Sequence, residues 1–136
     1  MNFVLDASLA LAWCFEEEDG RKAEHLLVRL TEGSAKALVP SLWPLEIANA
    51  LRMAEKRRVV KPEDTAAYLG LFAALPITVS ERTLAPKPLL DLARQYDLTA
   101  YDAAYLDLAQ CMALPLATLD NKLEAAAKAA KLPELR

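Results

Sequence analysis

The chain begins Met-Asn-Phe-Val-Leu-Asp-Ala-Ser-Leu-Ala (residues 1–10), and this stretch decides how the rest is read. An apolar run ends at Leu5, Asp6 follows at once, and a helix-like segment starts at Ala7. A short apolar run without polar alternation fits a strand covered on both faces, which is typical of parallel sheets flanked by helices. A carboxylate at the end of such a strand is costly to desolvate unless it is hydrogen-bonded, paired or bound to a metal. Asp6 is therefore the first candidate for a functional residue.

Further along, the same alternation repeats. Short β-like runs recur at "KALV" (36–39), "PITV" (76–79) and "PLAT" (115–118). Between them lie apolar stripes at helical spacing: Ala23, Leu26, Leu27 and Leu30; Ile47, Ala50, Leu51 and Ala54; Tyr68, Leu71, Phe72 and Leu75; Leu89, Leu92, Ala93 and Tyr96. The segment from Tyr101 to Met112 is apolar on more than one side, which predicts a centrally packed helix. "NKLEAAAKAA" (121–130) reads as a final, exposed one. Strands separated by helices imply right-handed crossovers, and so an α/β fold: a three-layer α/β/α sandwich around a short parallel sheet. Prolines 40, 62, 76 and 115 punctuate the joins, with no repeat or linker-like stretch.

Length and composition narrow the classes. A chain of 136 residues, 54% hydrophobic and 26% charged, is expected to form one domain over 1–136 with a substantial core, neither disordered nor fibrous. No apolar run reaches membrane-spanning length and no export signal precedes the first strand, so a cytoplasmic location is expected. Cys14 and Cys111 are expected to be reduced core residues rather than a bridge. The net charge of −3 lacks the basic signature of nucleic-acid binding, so any nucleic acid must be gripped locally or through cations.

In a parallel sheet, ligands bind outside the carboxyl ends of the strands. Asp6 lies at one such end and Asp120, in "LATLD", just past another. Glu46 falls near the start of the helix after the second strand, and Asp102 opens the helix spanning 101–112. Each has a plain structural role available: Asp6 and Asp120 as helix N-caps, Asp102 with Thr99 as a capping box, Glu46 as a favourable charge at a helix start. Together they are harder to dismiss. Two carboxylates about 4 Å apart repel by about 4 kcal/mol at an effective dielectric of 20, so four converging acids require protonation or a cation. All-oxygen ligands favour Mg²⁺ or Mn²⁺, and the absence of a Cys/His cluster weighs against structural zinc.

The set "LDAS", "LEIANAL", "LTAYDAAYLDLA" and "LATLD", in that order and spacing, resembles the PIN-domain ribonucleases, and within them the VapC-type toxins of toxin–antitoxin pairs. The resemblance spans essentially the whole chain. It implies a metal-dependent endoribonuclease in which Asp6, Glu46, Asp102 and Asp120 are the catalytic, metal-binding acids and Ser8 and Thr118 supply supporting hydroxyls. It also implies an RNA substrate, a Mg²⁺ (or Mn²⁺) cofactor with no organic one, a homodimer, and a cognate antitoxin that blocks the site.

Other features carry less. Lys56, Arg57, Arg58 and Lys61 could track an RNA backbone, though a charge run is usually a solvated helix end. "EEED" (16–19) reads as a solvated loop or helix start, His25 as a surface or boundary residue, and Trp13 and Trp43 as core residues that the resemblance also lets line an antitoxin groove. A Cys14–His25 nucleophilic pair lacks an orienting third group. Two rival functions stay open: a Mg-dependent aspartyl-phosphate phosphatase or phosphoacceptor using Asp6, disfavoured because Ser8 rather than a second acid follows two positions later, and a non-catalytic partner-binding module whose acids are only caps.

Overall fold

Apolar runs and helical stripes fold as the sequence leads one to expect. The computed structural model describes residues 1–15 and 20–135, so the acidic run 16–19 lies outside the described residues. In chain order the elements are β1 (Asn2–Leu5), α1 (Ala7–Ala12), α2 (Gly20–Glu32), β2 (Lys36–Val39), α3 (Trp43–Lys56), α4 (Pro62–Ala74), β3 (Ile77–Val79), α5 (Pro86–Tyr96), α6 (Ala100–Met112), β4 (Leu116–Ala117) and α7 (Asn121–Ala129). Prolines stand in the first turns of α3, α4 and α5, where their missing N–H breaks no helical bond.

The four strands form one parallel sheet in the order β3-β2-β1-β4, with Val4 paired to both Leu38 and Leu116. In β1 the side chains of Phe3, Val4 and Leu5 are completely buried, as expected of a strand with helices on both sides. Right-handed crossovers put the β1–β2 and β2–β3 helices on one face and the β3–β4 helices on the other. The result is an α/β/α sandwich. The direction of winding reverses between β1 and β4, so the carboxyl ends of these neighbouring strands border the crevice where such sheets bind ligands. Asp6 follows one strand and Thr118 the other.

The central position of α6 is borne out by burial of Ala103, Tyr105, Leu106, Leu108 and Ala109. Several details differ from expectation. β3 starts at Ile77, after Pro76, and β4 shrinks to two residues; the Pro115 carbonyl still accepts from Val4 N–H, but the proline has no N–H to extend the ladder. β3 is a partly exposed edge strand, with Val79 43% accessible, rather than one covered on both faces. Helix α7 is not simply exposed, since Leu123 and Ala126 pack into the core. Cys14 is buried and free, and burial pushes its thiol up to about 11. Cys111 is free but exposed near the end of α6, not in the core. His25 is exposed. Among the described residues no helix is long and apolar enough to cross a membrane.

Candidate functional site

Asp6 occupies the N-cap position of α1, yet its carboxylate makes no side-chain cap bond there. It instead receives two short hydrogen bonds, both on Oδ2: Ser8 Oγ donates at 2.6 Å and Thr118 Oγ1 donates at 2.6 Å. The two hydroxyls lie 3.4 Å apart and are themselves held by backbone amides, Leu119 N–H donating to Ser8 and Asp120 N–H to Thr118. A carboxylate only 5% accessible is thus fixed at the meeting of β1 and β4. Burial raises its pKa against the lowering effect of those hydrogen bonds, and the nearby Asp120 charge raises it further.

Glu46 sits in the first turn of α3 and accepts a 2.6 Å hydrogen bond on Oε1 from the Tyr105 hydroxyl. Burial pushes its pKa up; the Tyr105 hydrogen bond lowers it, and the charges of Asp6 and Asp102 raise it. Asp102 stands in the first turn of α6, whose N-cap Thr99 accepts from the Asp102 amide. Its pKa is also raised, chiefly by burial and then by Asp120 and Asp6. Asp120 does fill the plain structural role foreseen for it, capping α7 by accepting from Leu123 N–H. The four acids therefore gather at the carboxyl edge: the Asp120 charge reaches Asp6 and Asp102, and the charges of Asp6 and Asp102 reach Glu46. None takes part in an ion pair among the described residues.

Asp6, Glu46 and Asp102, pushed toward the protonated form by burial and by neighbouring carboxylate charge with no basic partner among the described residues, suit a hard cation. They do not form a closed cage: among the described residues no three His, Cys, Asp or Glu side chains are close enough to hold an ion. The carboxylates of Asp6, Glu46 and Asp120 are each tied by a hydrogen bond from the protein. Mg²⁺ accepts such a site, since it is usually bound through one or two carboxylates and keeps several waters.

Other candidates are sorted by position. The basic run is at the C-terminal end of α3, and from Glu46 to Lys56 the helix rises about 15 Å, so these residues are remote from the acids. Arg82 is nearer the edge but is engaged by Asp107, its Nε donating at 2.7 Å and its second nitrogen at 3.3 Å. Trp43 is buried against Phe72, and Trp13 is half-buried with its indole N–H donating to the Ala23 carbonyl.

With this geometry in place, a family model for the PIN domain matches residues 3–129, a span containing all four acids. The chain belongs to the PIN-domain family. Ribonuclease VapC3 of Pyrobaculum aerophilum is 30% identical over 127 residues, which cover 90% of this chain and 92% of that protein. The crystal structure of PAE2754 from Pyrobaculum aerophilum shares the fold, with a TM-score of 0.67 at 22% identity over 93% of this chain and 84% of the other. Reading the sequence of this PIN domain for acids alone misses Tyr105, which touches both Glu46 and the Ala7 amide. A signal was present: Tyr105 lies three residues after Asp102, on the same side of α6.

Proposed function

We propose that this PIN domain is a metal-dependent endoribonuclease that hydrolyses RNA phosphodiester bonds, acting as the toxin of a type II toxin–antitoxin pair. The observation that carries the reading is the set of desolvated, mutually coupled carboxylates beside the β1–β4 crevice, unmatched by any basic side chain among the described residues. The relationship to Ribonuclease VapC3 supports RNA as the substrate and an antitoxin as the partner. A homodimer and a cytoplasmic location complete the proposal.

Asp6, Glu46, Asp102 and Asp120 would hold Mg²⁺ or Mn²⁺ among them. Such a cation, when bound, supplies a water of lowered pKa and offsets charge on the phosphate oxygens. The protein's own contribution is placement. Ser8 and Thr118 fix Asp6, Tyr105 fixes Glu46, and the α7 cap fixes Asp120, so little reorganisation is needed when RNA arrives. Asp102 sits in the first turn of α6, where the helix dipole favours its charge. Hydrolysis by water leaves a 5′ phosphate and a free 3′ hydroxyl.

Titration with Mn²⁺, followed by incubation with RNA, tests the reading. A nuclease binds the ion through these acids and cleaves; a non-catalytic module does neither. A phosphoacceptor, given a small phosphoryl donor, would instead accumulate base-labile, hydroxylamine-sensitive phosphate on Asp6.

A further inference from the structure

We propose that Tyr105 is a positioning residue that restricts Glu46 to ligation through a single oxygen and thereby sets a preference for Mg²⁺ over Ca²⁺. The inference rests on the reading of the four acids as a metal site.

Tyr105 is completely buried, and its hydroxyl is where three helices meet. It belongs to α6, donates to Glu46 Oε1 of α3 at 2.6 Å, and accepts from the Ala7 amide at the start of α1 at 3.4 Å. The incoming amide N–H occupies the acceptor side of the hydroxyl, so its one proton is directed to Glu46. The ring is locked by close packing and cannot follow if Glu46 turns.

The consequence concerns Glu46. A glutamate at a helix start has three side-chain torsions and could offer both oxygens to a cation. With one lone pair of Oε1 accepting from Tyr105 and the carboxylate held in that orientation, Oε2 is the readier oxygen to offer. The same pattern holds for its neighbours: Ser8 and Thr118 both bond Oδ2 of Asp6, and Leu123 N–H bonds Oδ1 of Asp120. Single carboxylate oxygens plus water suit the octahedral, reluctantly dehydrated Mg²⁺. Calcium takes more oxygens in looser geometry and commonly uses bidentate carboxylates. Asp6 and Asp120 are tied by residues near the β1–β4 crevice, whereas Glu46 depends on a hydroxyl from the opposite layer.

The test is calorimetric titration of the intact protein with Mg²⁺ and Ca²⁺, without RNA, for wild type, Tyr105→Phe and Asp6→Asn. Wild type is expected to bind Mg²⁺ more tightly than Ca²⁺. Tyr105→Phe keeps the ring and loses only the hydroxyl. Outer partners of metal ligands typically contribute 10- to 100-fold in affinity, so Mg²⁺ should weaken by about tenfold or more while Ca²⁺ holds or tightens. A folded variant with the wild-type ratio of affinities overturns the inference, because a merely structural role lowers stability without changing that ratio. If Tyr105→Phe does not fold, the wild-type titration decides, and Ca²⁺ bound as tightly as Mg²⁺, or more tightly, overturns it. Asp6→Asn keeps the two readings apart: loss of Mg²⁺ binding there with an unchanged ratio in Tyr105→Phe removes only the role of Tyr105, whereas unchanged binding in Asp6→Asn removes the metal site itself.

Discussion

Thr118 Oγ1 donates a 2.6 Å hydrogen bond to Asp6 Oδ2, joining the ends of β4 and β1 across 112 positions of sequence. The same hydroxyl accepts from the Asp120 amide, so one threonine completes both the site's most buried acid and the turn into α7. Stability and placement of the acid are therefore coupled at this point.

Thr118→Val preserves shape and removes both bonds. A hydrogen bond to a charged group contributes about 1.5–3 kcal/mol, and a comparable loss of unfolding free energy is expected, read as a lower urea midpoint at unchanged slope. Thr118→Ser should recover most of it. A valine variant as stable as wild type would show that the pairing carries no net weight.

Asp102 and Asp107 separate by geometry. On one helix, five positions turn a side chain by about 140°, so the two cannot face the same ion. Asp102 is coupled to Asp6 and Asp120, while Asp107 pairs with Arg82. Asp102→Asn should abolish RNA cleavage and weaken Mn²⁺ binding in a folded protein. Asp107→Asn should leave both near wild type and cost at most about 1 kcal/mol, as expected for a partly exposed ion pair. The reverse pattern would place the site on the wrong face of α6.

Much of this arrangement was legible in the sequence because its signals are local. Apolar runs such as "NFVL" mark strands, stripes such as Ile47–Ala54 mark buried helix faces, and an acid at the end of a buried strand marks the crevice. What remained hidden depends on which elements become neighbours. The pairing of β1 with β4, which brings Thr118 to Asp6, is not written in either segment's periodicity. Tyr105 looks like any core aromatic until the fold brings the first turn of α3 within reach of its hydroxyl at the sheet's carboxyl edge. The exposure of Cys111 likewise depends on which side of α6 is left uncovered, and a helix apolar on several sides does not reveal that.

Asp6, Glu46 and Asp102 all have raised pKa values in the folded chain. In the unfolded chain such groups titrate near about 4, so the folded state binds their protons more tightly. Their contribution to stability is thus fullest below that pH and is lost as pH rises through the raised folded values. A cation binds the ionised forms and gains over the same range. The rise in melting temperature on replacing EDTA with Mg²⁺ should be larger at pH 8 than at pH 5. Calorimetry that finds the larger rise at pH 5 would contradict this.

Production of the protein alone should arrest bacterial growth, and Asp6→Asn should relieve the arrest. Co-production of a small protein encoded in the adjacent reading frame should relieve it as well. Normal growth despite abundant, folded wild-type protein would count against the toxin role while leaving nuclease activity open.

The central claim is that these carboxylates hydrolyse RNA with the help of a divalent cation. Its most direct test is incubation of purified protein with RNA in Mg²⁺ and in EDTA, with the ends of the products mapped. Cleavage in Mg²⁺ alone, leaving 5′ phosphates and 3′ hydroxyls, is the expected result; undiminished cleavage in EDTA, or products ending in 2′,3′-cyclic phosphate, would contradict it.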